Sequence, residues 1–505
     1  MIHQKVLTFF IVVLGTIVLC VSIGFAFPRG LYVLPMVLAL IPLVILFLNK
    51  PKLIFILMIM TFFSGLRLPF LAASFNLFHL LAVFYIFIGF LDLFVRKERA
   101  GPQGLYSFFL VMFLANIFLL IAVRGAGLRF LGDENWGGMR YVLLILSCCI
   151  FLNANFVSLT EKQWKIALFF SFLLGLLPFF AELIFIFSGG KITFHYHFIE
   201  FASSTIHNLG TTLLGGEGVG RLQTARQGGE MLILIALGFV FVHNKKRVFT
   251  TLIVVLLGLA LIGLSGHRLG LIRAVAIIWV FLAIQNRHQI WKYIILSSLC
   301  LVSGVLLMYL VAPLLPLTAQ RMISFLPGVQ IDIIAESSAH NTTEWRINLW
   351  RYALTEIPDY LFVGKGLTFP AHIREDLILA GHTEYVKFWA VETVAYHNGI
   401  LSLLIAMGLS GLIFGTCFLI LVAVRYTKAM FSTWEDLRLK NLYAVLFSLF
   451  IVDLGVYYTL YGDVQQSFPL LLFNSAMLEG LMWRNRLMLD GGSLAVNVAI
   501  EKGFK

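Results

Sequence analysis

Long apolar stretches recur along almost the whole chain, and no other feature restricts its fold as tightly. A helix that crosses a bilayer needs about 20 consecutive apolar residues, and runs of that order recur here, separated by short charged breaks and by two long loops. Of the 505 residues 60% are hydrophobic and 12% charged, whereas an ordinary soluble domain is about 25% charged. A soluble globule is excluded. The sequence predicts an all-α polytopic membrane protein with about fourteen transmembrane helices (a range of about 12–14) and a large helical loop on the outer, periplasmic or extracellular, side.

The expected spans are 6–27, 31–48, 53–66, 76–95, 105–123, 140–157, 164–187, 229–243, 248–265, 269–285, 291–312, 398–424, 440–460 and 466–483. The first run has no small-residue cleavage site and reads as a span rather than a removed leader. Five cysteines, Cys20, Cys148, Cys149, Cys300 and Cys417, all fall inside apolar runs without metal-site or disulfide spacing, so they read as packing or lipid-facing residues. In a soluble protein the net charge of +12 would suggest nucleic acid. In a membrane protein basic residues first set topology, and no nucleic-acid partner is expected.

Placing the N-terminus inside puts compact basic clusters in nearly every inner loop, with 21 Lys and Arg inside and 16 outside. Both ends are therefore expected in the cytoplasm. The chain then divides into transmembrane helices over 1–312 with an outer loop at 188–228, a large outer loop forming a helical cap over 313–396, the last spans within 397–483, and a cytoplasmic tail over 484–505. Within the cap Trp345 to Leu354 and Ala371 to Ala380 read as helical.

Splitting the basic residues by type sharpens the picture. The inner side holds 13 Lys and 8 Arg, the outer side 3 Lys and 13 Arg: Arg29, Arg67, Arg124, Arg129, Arg140, Arg221, Arg226, Arg268, Arg273, Arg321, Arg346, Arg351 and Arg374. The planar fork of arginine binds phosphate oxygens through paired hydrogen bonds and stays charged when partly buried, so an outer cavity lined with guanidinium suits a diphosphate. The plainer alternative is pairing with acids such as Asp133, Glu217, Glu230 and Glu344. Arg221, Arg226, Arg268 and Arg273 stand at span ends, where charge is costly and is usually either paired or functional.

Four motifs occur in order. Gly220-Arg221-Leu222-Gln223-Thr224-Ala225-Arg226-Gln227-Gly228-Gly229 precedes the eighth span, and Leu264-Ser265-Gly266-His267-Arg268-Leu269-Gly270 turns between the ninth and tenth. The cap carries Trp345-Arg346-Ile347-Asn348-Leu349-Trp350, then Ile357-Pro358 and Gly364-Lys365-Gly366-Leu367. Tyr396-His397-Asn398-Gly399-Ile400-Leu401, followed by Gly408 and Gly411, enters the twelfth span. This order resembles the O-antigen ligase and O-antigen polymerase superfamily, the Wzy and WaaL kind of bacterial envelope glycosyltransferase. The sequence departs from that pattern at Gln227-Gly228-Gly229 and at His267, which leaves open whether Arg221 or Arg226 is the functional arginine.

The resemblance implies a metal-independent glycosyltransferase without a cofactor in the bacterial inner membrane, its active site facing the periplasm. Its donor would be an undecaprenyl-diphosphate-linked oligosaccharide and its acceptor a glycan or lipid A-core, in O-antigen or envelope polysaccharide (lipopolysaccharide) biosynthesis, among membrane lipids and with a chain-length regulator as a further partner. Polymerase is slightly favoured over ligase by length and helix count. Arg221, Arg226 and Arg268 would stabilise the leaving diphosphate, with Arg273 and Arg346 as further diphosphate or glycan contacts. His397 would act on the attacking hydroxyl. Asn398 could touch sugar or cap its helix, and Trp345, Trp350 and Trp389 could stack on sugars or anchor the cap at the interface.

Other signals are discounted. His195 and His197 lack the further ligands of a metal site, so no metal is expected. Gly215 to Gly220 is glycine-rich without the strand or Gly-Lys-Ser/Thr of a nucleotide loop. Asp453, inside the thirteenth span, is expected to pair with an outer arginine. The rival reading is a multi-pass transporter or a flippase of lipid-linked oligosaccharide or small solute; the internal repeats and matched broken helices that mark transporters are not evident.

Overall fold

The computed structural model describes residues 50–66, 76–96, 104–127, 135–188, 191, 222, 224–241, 245–370, 390–433 and 439–482. The first two expected spans, Arg221, the His195 and His197 pair, the glycine-rich 215–220 segment, the expected helix at Ala371 to Ala380, Arg374, Trp389 and the tail lie outside the described residues.

The described chain is helical apart from one two-residue pairing. The helices are α1 (Pro51–Thr61), α2 (Leu77–Arg96), α3 (Leu105–Arg124), α4 (Gly138–Leu152), α5 (Glu161–Leu174), α6 (Leu177–Phe187), α7 (Ala225–Ile235), α8 (Lys245–Ser265), α9 (Arg268–Gln285), α10 (Ile290–Val311), α11 (Leu317–Ile323), α12 (Ile333–Tyr360), α13 (Gly399–Thr433) and α14 (Lys440–Thr459), with α15 at Ser467–Met482. Among the described residues seven helical segments are long and apolar enough to cross a membrane; Pro51–Thr61, Leu77–Leu91, Gly138–Leu152 and Ser467–Met482 are shorter apolar helices. Each span expected from 53–66 onward falls on a helix or a pair of helices, but the expected count of about fourteen is not reached by helices of spanning length. The expected spans 53–66, 76–95, 140–157 and 466–483 fall on the four shorter apolar helices, 229–243 is the short α7 extended by a π turn at Ala236–Val240, and 164–187, although divided at Gly175 into α5 and α6, remains long enough to cross.

Helix ends are set by specific side chains. At α5 the Thr160 hydroxyl accepts from the Gln163 amide, and the Gln163 side chain accepts from the Thr160 amide at 2.8 Å, a reciprocal capping box. Asp332 accepts from the Ile334 amide at 2.8 Å to start α12. The buried carboxylate of Glu182 on α6 receives both the amide and the hydroxyl of Thr224, so α6 anchors the chain entering α7.

α14 is the most enclosed of the spans and α10 the least, no residue of its apolar window being buried inside the protein. Side chains such as Leu299, Leu306 and Leu310 on α10 stand exposed, as befits a helix whose solvent is lipid. α7 and α8 touch backbone to backbone: a Cβ on Gly229 would lie 2.3 Å from the Gly258 carbonyl oxygen, and one on Gly258 would lie 2.7 Å from that of Gly229. Close approach through small residues is the usual means of helix association in lipid.

α13, read from the sequence as one uninterrupted span, is broken at Gly408 (φ 72°, ψ −179°). The break frees carbonyl groups that lipid cannot satisfy, and the loop leaving α12 fills it. The amides of Lys365 and Gly366 donate to the carbonyls of Ile405 and Ala406 at 2.7 and 3.0 Å, and the Leu409 amide donates to Leu361 at 2.7 Å. Asn116 on α3 donates to the Met407 carbonyl at 3.0 Å. A Cβ on Gly364 would stand 2.2 Å from the Ala406 oxygen, which explains the glycine at that position. The loop is further tied to α4, where β1 (Asn135–Trp136) pairs antiparallel with β2 (Phe369–Pro370) and the Tyr141 hydroxyl accepts from the Leu367 amide at 2.9 Å.

Candidate active site

The site forms where the cap helix α12 meets the start of α13, the turn after α14, and the cap-side ends of α7 and α9. Its centre is His397. The imidazole stacks on the Tyr461 ring, with centroids 4.4 Å apart and planes 17° apart, and lies 5.6 Å from the Trp345 ring. Burial, and then the Arg346 guanidinium, push its pKa down from 6.5 to about 4, so the ring is neutral at physiological pH. Its Nδ1 is buried without a hydrogen-bond partner among the described residues.

His397 holds a left-handed backbone (φ 53°), as does Val394 (φ 56°). Such values are uncommon for non-glycine residues and persist only where the surroundings enforce them. The Ala395 amide donates to the Ala390 carbonyl at 2.8 Å. The Tyr396 carbonyl accepts from Trp350 Nε1 at 2.8 Å, while the Tyr396 hydroxyl donates to the Glu356 carboxylate. On the other flank Asn398 Oδ1 accepts from the amides of Ile400 and Leu401 at 3.1 and 3.2 Å. Trp350 and Asn398, expected as candidate glycan contacts, are thus engaged on the backbone either side of His397.

Two guanidinium groups, Arg346 and Arg226, act on the His397 and Tyr461 stack, and a third, Arg268, lies beside Arg346. Arg346 from α12 lies 5.6 Å over the Tyr461 ring, and burial lowers its pKa from the ordinary guanidinium range. Its Nε is buried without a partner. Arg268 at the start of α9 is near enough to Arg346 for the two charges to repel, and its Nη2 donates to the Ala339 carbonyl and the Thr343 hydroxyl at 2.9 and 3.1 Å. Arg226 on α7 packs its stem against α9, since a Cβ on Gly270 would lie 2.7 Å from its Cγ, and its charge reaches Tyr461. None of the three forms an ion pair among the described residues. The Trp345 Nε1 is buried and unpartnered as well. Unpartnered buried polar atoms occur elsewhere among the described residues as well, Asn155 Oδ1 and Trp164 Nε1 for example, but here three of them meet at one cationic place.

Arg273, also expected at the diphosphate, is engaged elsewhere. Its Nε and Nη2 donate to the two oxygens of Asp453 at 2.5 and 3.0 Å, and its Nη1 donates to Glu230. Asn474 on α15 adds a 3.4 Å contact to Asp453. The expected pairing of Asp453 with an outer arginine is present, and it joins α7, α9 and α14. Arg124, Arg140 and Arg321 bind main-chain carbonyls: Arg124 those of Gly364 and Val363, Arg140 those of Leu367 and Thr393, Arg321 that of Gly266. Among the described residues no cluster of three or more His, Cys, Asp or Glu could hold a metal ion.

Sequence reasoning passed over Tyr461. It directly follows an apolar span in an aromatic-rich stretch, where tyrosine ordinarily reads as an interfacial anchor, and nothing in its neighbours pairs it with a histidine 64 positions earlier.

A bundle of long apolar helices, with arginines and one buried histidine gathered beneath α12, defines a multi-pass membrane protein. The family model for O-antigen ligase matches residues 252–415, roughly a third of the chain. The match supports the O-antigen ligase and polymerase superfamily that the motif order resembles, and with it a ligase or polymerase type of glycosyltransferase activity. It takes in Arg268, Arg273, Arg346 and His397, while Arg226, Asp453 and Tyr461 lie outside it. No curated protein matches the chain.

Proposed function

We propose that this protein transfers a glycan from an undecaprenyl-diphosphate-linked donor to a sugar hydroxyl at the periplasmic face of the bacterial inner membrane, with the polymerase role slightly favoured over the ligase role. In this reading about fourteen spans, both termini inside, place the cap outside. The observation that carries it is the set of Arg226, Arg268 and Arg346, none of them in an ion pair among the described residues although Arg226 also acts on Asp453, near a histidine whose Nδ1 is buried and unpartnered among those residues.

The chemistry follows from those groups. The acceptor oxygen attacks the anomeric carbon, the bond from that carbon to the diphosphate oxygen breaks, and undecaprenyl diphosphate leaves with the electron pair. His397, neutral before reaction, takes the hydroxyl proton. The guanidinium groups oppose the charge that develops on the leaving oxygen, and fixed cations in a water-poor site do this without reorganising. The match to the O-antigen ligase family agrees with a lipid-linked oligosaccharide donor and a glycan acceptor. A chain-length regulator is a further partner in the polymerase case.

The test is the envelope polysaccharide profile of cells lacking the protein and complemented with wild type or His397→Ala. Single repeats on their anchor with long chains missing would indicate a polymerase. Finished chains retained on the carrier lipid would indicate a ligase. An unchanged profile in all strains would overturn the transferase reading.

A further inference from the structure

We propose that Tyr461 is the positioning residue of the reaction centre, its ring fixing the imidazole of His397 and the guanidinium of Arg346 relative to one another. The inference rests on the function proposed above and adds a residue outside the segment matched by the family model.

The geometry assigns the ring a double task. The His397 imidazole stacks on it at 4.4 Å in a nearly parallel arrangement, and the Arg346 guanidinium sits 5.6 Å from its centroid. Among the described residues no hydrogen bond otherwise fixes the imidazole through Nδ1, and no acid forms an ion pair with Arg346. Two groups that must be free for substrate cannot be held by their own polar atoms. Holding them by a face leaves those atoms available, and an aromatic face suits both a neutral imidazole and a cation.

Tyr461 is itself held from elsewhere. Its amide donates to the Val456 carbonyl at 2.8 Å at the end of α14. Two residues on, Asp463 Oδ1 accepts from the amides of Gln465, Gln466 and Ser467 at 3.0, 2.6 and 3.2 Å, which starts α15. The turn is therefore built from both flanking helices. Arg226 from α7, Arg346 from α12 and Asp463 in the turn are the charged groups acting on Tyr461.

The experiment uses the full chain in nanodiscs with a polyprenyl-diphosphate-linked oligosaccharide donor, comparing wild type, Tyr461→Phe, Tyr461→Leu and the same changes combined with His397→Ala. Carbethoxylation of His397 by diethyl pyrocarbonate, read by peptide mass spectrometry, reports the ring independently of turnover. Tyr461→Leu is expected to lower kcat by about 3- to 10-fold, the worth of one aromatic pair, and to speed modification of His397, whereas Tyr461→Phe restores both. In the His397→Ala background Tyr461→Leu should cost nothing further.

Wild-type kcat and wild-type modification rate in Tyr461→Leu would overturn the proposal, as would Tyr461→Phe failing as badly as Tyr461→Leu, or a full additional loss in the His397→Ala background. Should Tyr461→Leu not accumulate, Tyr461→Met replaces it with the same expectations. A wild-type protein without transfer activity would overturn the proposed function, and the modification rates would then decide the role of Tyr461 alone.

Discussion

Arg273 and Asp453 meet inside the bundle through two hydrogen bonds, Nε to Oδ1 at 2.5 Å and Nη2 to Oδ2 at 3.0 Å, with the side chains 11% and 7% exposed. Glu230 takes the remaining edge of the same guanidinium, so one cation serves two buried acids from different helices. Removing it strands both. Arg273→Met is expected to destabilise the folded protein by about 3–5 kcal/mol, because an uncompensated buried charge costs more than the pair contributes. The measurement is thermal unfolding in detergent. A Met variant melting with wild type would show the cluster to be dispensable, and Arg273→Lys, lacking the fork, should fall between.

Gly408 carries the second structural prediction. Its φ of 72° with ψ of −179° is backbone that only glycine adopts readily, and a Cβ there would meet the Phe362 carbonyl oxygen at 2.7 Å. Gly408→Ala should reduce the yield of monodisperse protein severely, while Gly455→Ala, where a Cβ would meet nothing within 4 Å, should be tolerated. Equal yields of the two variants would mean that the break in α13 is not required.

How far the sequence goes is visible in these same residues. Apolar length located the helices, because each must bury or expose to lipid a continuous surface, and the expected starts of α3, α9 and α14 fall within a residue of the observed ones. The arginine excess was less selective: Arg124, Arg140 and Arg321 hold main-chain carbonyls and Arg273 holds acids, while Arg226, Arg268 and Arg346 form no ion pair among the described residues. Neither hydropathy nor charge contains the break at Gly408, which depends on a loop from 40 residues earlier supplying the missing donors. Roles were harder still. Arg268 and Arg273 stand five residues apart, about 1.4 turns of α9 and so on different faces, and Arg273 faces Glu230 and Asp453 whereas Arg268 faces Arg346 and the cap. Which acids lie across the gap is a property of the packing, not of the motif.

Arg268 leads to a prediction about shape rather than charge. Its Nη2 is fixed by Ala339 and Thr343, which leaves the other edge of the fork for an anion. Arg268→Lys keeps the charge and loses the fork, so transfer should fall by about 10-fold or more, the value of a lost bidentate contact, with normal membrane insertion. A lysine variant of full activity would remove Arg268 from the site. Arg346→Lys should behave in the same way.

Asn398 separates capping from sugar contact. Its Oδ1 accepts from two amides of the first turn of α13, and Asp can make the same cap. Asn398→Asp should therefore preserve both the fold and most transfer activity, and Asn398→Ala should cost about 1 kcal/mol of stability. A stable but inactive Asn398→Asp would instead point to the amide nitrogen as a substrate contact.

The pH dependence is decided by His397. Burial, and then Arg346, place its pKa near 4 in the folded protein against 6.5 ordinarily. A base must be unprotonated, so kcat/KM is expected to stay flat from about pH 8 down to about pH 5 and to fall only towards pH 4. An unshifted histidine would give its midpoint near 6.5 instead. Folding is linked with the same sign: between pH 6.5 and 4 the unfolded chain binds more protons at this residue than the folded one, so its contribution to stability falls as pH falls through that window and is constant above it. Arg346→Met removes the repelling charge and should move the acid limb upward. A bound diphosphate should do so too, because its negative charge favours imidazolium; kcat, which reports the donor complex, should therefore lose activity at higher pH than kcat/KM. Coincident acid limbs, with or without Arg346, would mean that His397 and the diphosphate do not share one site.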